Sequence, residues 1–176
     1  VKIFTLNIII FTIISMSGCV SNYYMHPDAG TELEGYVVPI FQNRKVTLIN
    51  MQSFNDNIVI LRRAGSVGYA NPKEFTDTVI AITGRELIKH GLDVSQNASK
   101  VIKISVDYIA TDLGWNIESK VIMSVETGDG YTSKYTGIDS KTSWGPRGAS
   151  DQYSVVLMRA VGEMLSDKKI INYLSS

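Results

Sequence analysis

The chain has 176 residues, 44% hydrophobic and 19% charged, and its 17 basic and 17 acidic side chains cancel. That suits one domain behind a leader and is too apolar for disorder, while balanced charge without a basic cluster argues against a nucleic-acid partner. One cysteine and two histidines exclude an internal disulfide and a multi-thiolate metal site.

The chain opens with Lys2, then an apolar run from Ile3 to about Met16, then Ser17 and Gly18. A charged start, a short hydrophobic stretch and small residues describe a signal peptide over 1–18, too short and too interrupted to span a bilayer. Met16-Ser17-Gly18-Cys19 resembles the lipobox of bacterial lipoproteins, with methionine where leucine is usual. The resemblance implies cleavage between Gly18 and Cys19, an S-diacylglyceryl group on Cys19 and an N-acyl chain such as palmitate on its amine. No other cofactor is expected. Several acyl chains hold a protein firmly on a membrane, at about 0.8 kcal/mol per buried methylene. Val20-Ser21 lacks the aspartate that retains lipoproteins in the inner membrane of enteric bacteria. That analogy points to the periplasmic face of the outer membrane.

Residues 19–42 read as a lipidated cysteine followed by a tether, with turn chemistry at His26-Pro27-Asp28-Ala29-Gly30. Tyr23, Tyr24 and Tyr36 are either headgroup-level aromatics or ordinary linker tyrosines. A single domain over 43–176 follows. Lys45–Asn50 and Ile58–Leu61 read as strands, and Arg62–Ala70 as a loop. Asn71-Pro72-Lys73-Glu74 predicts a capped helix start, and Gly91 a stop after Lys89 or His90. In Ile102–Tyr108 apolar and polar residues alternate, giving a strand with one buried face ending on Tyr108. Val121–Glu126 and Tyr131–Ile138 read as a hairpin around Thr127-Gly128-Asp129-Gly130. From about Asp151 to Leu165, the residues Tyr153, Val156, Leu157, Ala160, Val161, Met164 and Leu165 form one helical stripe, which Lys168–Leu174 repeats more weakly. The order β-β-α-β-β-β-α predicts an α+β fold: a two-layer sandwich, mainly antiparallel sheet covered by two amphipathic helices.

From Val46 onward this order resembles the YajG-type envelope lipoproteins. The likeness rests on "ELIKHGLDV" with "KVIKISVDYIATD", on "SKVIMSVETGDGYTSKYTG", and on the final "DKKIINYLSS". Met51–Asn71 fits least well. The architecture is more loosely similar to the lipopolysaccharide-assembly partner LptE and to auxiliary lipoproteins of lipid-transport ABC systems. Those groups imply binding or assembly rather than catalysis.

The residues point the same way. A serine triad would need His26, in the tether, or His90, at a helix end where imidazole can meet the last carbonyls. Asp107 and Asp112 read as wet-face residues, "TGDGY" lacks the lysine and helix of a phosphate loop, and Asn55-Asp56-Asn57 lacks a calcium loop's glycine and distal glutamate. No enzyme and no metal are therefore expected. Candidate partner-binding residues are Trp144 and Arg147 in a glycine-rich loop, Trp115 between two strands, and Arg62-Arg63 after a strand. Tryptophan and arginine are typical interface anchors. Trp144 tucked under its own loop and Trp115 capping the core remain the alternatives, while Arg62 and Arg63 suit phosphate or lipid headgroups. Two functions follow: docking on another envelope protein, or binding lipopolysaccharide or phospholipid in transport.

Overall fold

The computed structural model describes residues 20–41, 44–143 and 148–176. The elements are β1 (Ser21–Met25), β2 (Arg44–Asn50), β3 (Ile58–Arg63), β4 (Ser66–Ala70), α1 (Pro72–Lys89), β5 (Leu92–Val94), β6 (Lys100–Leu113), β7 (Ile117–Thr127), β8 (Thr132–Lys141), α2 (Gly148–Ser166) and α3 (Lys168–Ser175). A five-stranded sheet runs β5-β2-β6-β7-β8, and a three-stranded sheet runs β1-β4-β3. In the larger sheet β6, β7 and β8 pair antiparallel, whereas β2 joins β5 and β6 in parallel. Helix α1 lies over β5, β2 and β6, and α2 over β7 and β8, giving the expected two-layer α+β sandwich. Among the described residues no helix is long and apolar enough to cross a membrane.

Local chemistry places the helices as the sequence predicts. Asn71 is the N-cap of α1, its side chain accepting from the Glu74 amide at 3.1 Å, and Pro72 fills the first turn, where its missing N–H costs nothing. At the far end Gly91 has φ 89°, and a Cβ there would overlap the Phe41 carbonyl, so conformation and close approach both demand glycine. His90 Nδ1 sits 2.8 Å from the Glu86 carbonyl. All seven residues of the α2 stripe are buried. Burial pushes the Tyr153 hydroxyl up to about 12, against the pull of its bond to Thr111 at 2.6 Å.

Three local readings change. Arg62–Ala70 is no loop: β3 turns at Gly65, φ 73°, into β4. The short strand β5 also forms where none is expected, against the edge of β2. Tyr108 is exposed, not buried, because a bulge at Asp107 shifts the phase of β6 and turns Ile109 inward. Helix α1 and the segment after β2 satisfy backbone groups at the bulge. The Val106 amide donates to Thr76 Oγ1 on α1 at 2.9 Å, and Gln52 Nε2 donates to the Val106 carbonyl at 2.8 Å.

The stretch read as a tether is laid over the domain. β1 starts at Ser21 and pairs in parallel with β4, while Met25, Val38 and Phe41 are buried. Tyr36 lies flat on Gly162 of α2, where any Cβ would strike its ring. His26 Nδ1 meets Glu74 Oε1 at 2.7 Å. Arg85 on α1 donates to the carbonyls of Ala29 and Thr31, a charge-assisted clamp on otherwise irregular chain. Such bonds contribute roughly 1.5–3 kcal/mol. Arg85→Ala should therefore raise local opening of residues 26–41 about tenfold or more. Arg85 is also the nearer ion partner of buried Glu86, at 3.4 Å, so global melting should fall as well, and faster limited proteolysis confined to residues 26–41 is the distinguishing result.

Candidate functional site

Strand β3 buries Ile60 and Leu61 side by side, because its register against β4 shifts between Val59 and Leu61, and then leaves Arg62 and Arg63 in water. The β6–β7 hairpin tip, Leu113-Gly114-Trp115-Asn116-Ile117, stands beside that strand end. Between them lies an open cleft of about 680 Å³, closed on its third side by Thr142 and Ser143 after β8. Sequence-distant Arg62, Arg63 and Trp115 are thus brought together.

Trp115 is fully exposed, at 102% of its reference area, and so does not cap the core. Neither arginine side chain makes an ion pair or hydrogen bond among the described residues. The lining includes two guanidinium groups and no carboxylate. Asp112 and Glu118 pair one step before the Leu113–Ile117 pair, so strand alternation sends them to the opposite sheet face. Guanidinium offers five donors in a fork that matches phosphate and carboxylate oxygens, and an exposed indole offers an apolar body with one N–H donor. The cleft is suited to an anion beside an apolar or interfacial surface.

The helix-free face of the larger sheet is a second feature. Ile49, Met51, Tyr108 and Ile138 are exposed there, with Tyr108 opposite Ile122 in register. Two ion pairs also stand on this face, Lys103 with Glu126 at 2.7 Å and Lys45 with Asp93 at 3.4 Å. Sequence reasoning missed this exposed apolar group, because the Asp107 bulge is what turns Tyr108 outward. A smaller cleft of about 490 Å³ separates residues 31–36 from α2; Glu32, Glu34 and Arg159 line it. There burial raises the Tyr36 hydroxyl, reinforced by Glu163 and opposed by Arg159.

Gly18, Cys19, Trp144 and Arg147 lie outside the described residues. Of the histidines, His26 pairs with Glu74 and His90 closes α1. Among the described residues no group of three His, Cys, Asp or Glu side chains converges to hold a metal ion.

No family model matches the chain, and no curated protein matches it. The solved structures include similar folds. Protein XCC0632 from Xanthomonas campestris, of the family DUF330, superposes with a TM-score of 0.58 at 11% identity, over 86% of this chain and 96% of that one. At that identity the likeness concerns the fold alone. The PelC dodecamer from Paraburkholderia phytofirmans overlays at a TM-score of 0.36 and 16% identity, over 80% of this chain and 96% of that one.

Proposed function

We propose that this chain is a non-enzymatic envelope lipoprotein, anchored through acylated Cys19 on the periplasmic face of the outer membrane, that docks on or supports another envelope protein. The observation that carries the docking is the helix-free sheet face. Ile49, Met51, Tyr108, Ile122 and Ile138 stand on it, Tyr108 opposite Ile122 but Ile49 beside Lys103 and Ile138 beside Lys120, and apolar area left in water favours association. A photo-crosslinker placed at Ile138 in the full chain, in its own membranes, should give one discrete protein adduct. Tyr108→Lys should abolish that adduct by setting a charge among those apolar side chains. An adduct indifferent to Tyr108→Lys, or none at all, overturns the docking face.

The Arg62–Arg63–Trp115 cleft favours the second reading, a module that handles lipopolysaccharide or phospholipid. On that reading, native mass spectrometry of gently extracted protein finds lipid attached and no second protein.

A further inference from the structure

The first strand begins beside the cleft. Ser21 lies opposite Ser66 on β4, and Ser66 lies opposite Arg63 on β3, so the three form one row across the small sheet. With strands about 4.8 Å apart, Arg63 is about 10 Å from Ser21. The Ser21 amide is also bonded to the Gly65 carbonyl in the β3–β4 turn, at 2.9 Å. Cys19 precedes Ser21 by two residues, so chain reach alone keeps its Cα within about 7 Å of the Ser21 Cα. A long tether would let the domain tumble beneath its anchor. A strand that starts two residues after the anchor leaves one end of the molecule able to meet the bilayer.

That end carries the chemistry a bilayer surface selects. Arg62 and Arg63 are exposed, their side chains unpaired among the described residues, with no carboxylate in the cleft lining. Trp115 is fully in water, and Val20 is 61% exposed. Arginine near an anionic surface contributes about 1 kcal/mol each, and indole rings are favoured at headgroup level. We propose that the Arg62–Arg63–Trp115 end of the domain is seated against an anionic phospholipid bilayer, the guanidinium groups on headgroup phosphates and Trp115 within the headgroup layer. The proposal rests on the acylated-Cys19 reading. It assigns these residues to the membrane and leaves the open sheet face for a protein partner.

The test uses the full acylated chain, its mass verified, in vesicles of phosphatidylethanolamine and phosphatidylglycerol with brominated acyl chains. Trp115→Phe is the reference: Trp144 is present in both proteins, so their difference isolates Trp115, and a fully exposed side chain can be replaced without disturbing packing. Trp115 emission should be quenched and blue-shifted in these vesicles. Replacing the anionic lipid with phosphatidylcholine, or substituting Arg62→Ala with Arg63→Ala, should weaken that quenching. An acylated chain quenched no more than Trp115→Phe overturns the proposal and leaves the anchor standing. Quenching unchanged by both the lipid swap and the arginine substitutions overturns the headgroup contact. A mass without acyl groups overturns the anchor, and the seating with it.

Discussion

Gly137→Ala is expected to destabilise the domain more than any other single methyl addition. Gly137 lies on the core face of β8, opposite Val121, with α2 crossing directly above it. A Cβ there would overlap the Val156 carbonyl oxygen, 2.8 Å from its carbon and 3.2 Å from the Ala160 amide nitrogen. All of these are helix backbone, so no side-chain rotation relieves the clash. The helix must lift from the sheet instead, separating buried Val156, Leu157, Ala160 and Val161 from β7 and β8. Overpacking typically costs about 1–3 kcal/mol, and a rigid backbone partner puts this case at or above the upper end. For a domain of this size that corresponds to a melting temperature lower by about 6–12 °C. Thermal unfolding followed by circular dichroism checks it; a shift within about 2 °C would mean that α2 sits less tightly on β8 than described.

The second large effect is expected at Asp167, between α2 and α3. Its carboxylate accepts from the Tyr131 and Tyr135 hydroxyls at 2.8 and 2.7 Å, and caps α3 by accepting from the Lys169 amide at 2.8 Å. Lys169 Nζ in turn lies 4.7 Å from the centre of the Tyr131 ring. Asp167→Ala removes a cap, typically about 0.5–2 kcal/mol, and leaves the hydroxyl of largely buried Tyr135 without its acceptor. A combined loss of about 2–3 kcal/mol in urea unfolding is expected. Asp167→Asn keeps the shape, and much of the cap, but loses the charge.

The same site sets a pH dependence. Burial pushes the Asp167 carboxyl up, but the hydrogen bonds from Tyr135, the Lys169 amide and Tyr131, with the Lys169 charge, together hold it below the usual carboxylate range. Its contribution is complete above the unfolded-state value of about 3.9 and is lost as pH falls through the lower folded value. The unfolding midpoint of the native protein should therefore drop on acidification below about pH 4, and Asp167→Asn should flatten part of that drop. The carboxylate is partly wetted, so screening keeps the effect modest. An unchanged acid profile in Asp167→Asn would place the linkage on other carboxylates.

Much of the fold was legible because its signals are local. The Asn71 cap with Pro72 and Glu74, and the Gly91 stop, are decided within one helical turn each. The α2 stripe repeats over three turns, and the β7–β8 hairpin brackets a glycine turn. The site was legible only as separate residues. Arg62, Arg63 and Trp115 stand out by type, but nothing near any of them says that they share one cleft.

By itself, then, the sequence determined the α+β class, both main helices and the antiparallel strands, since periodicity and capping act between residues a few positions apart. Only the tertiary structure decided that Ser21–Met25 is a strand, because its partner β4 is about 45 residues away and itself reads as loop. Tertiary structure likewise turned Tyr108 outward, through a bulge where backbone groups are satisfied by Thr76 and Gln52 from elsewhere in the chain. Pairings over such separations depend on which partner is in reach once the chain is compact, and local propensity carries no record of that.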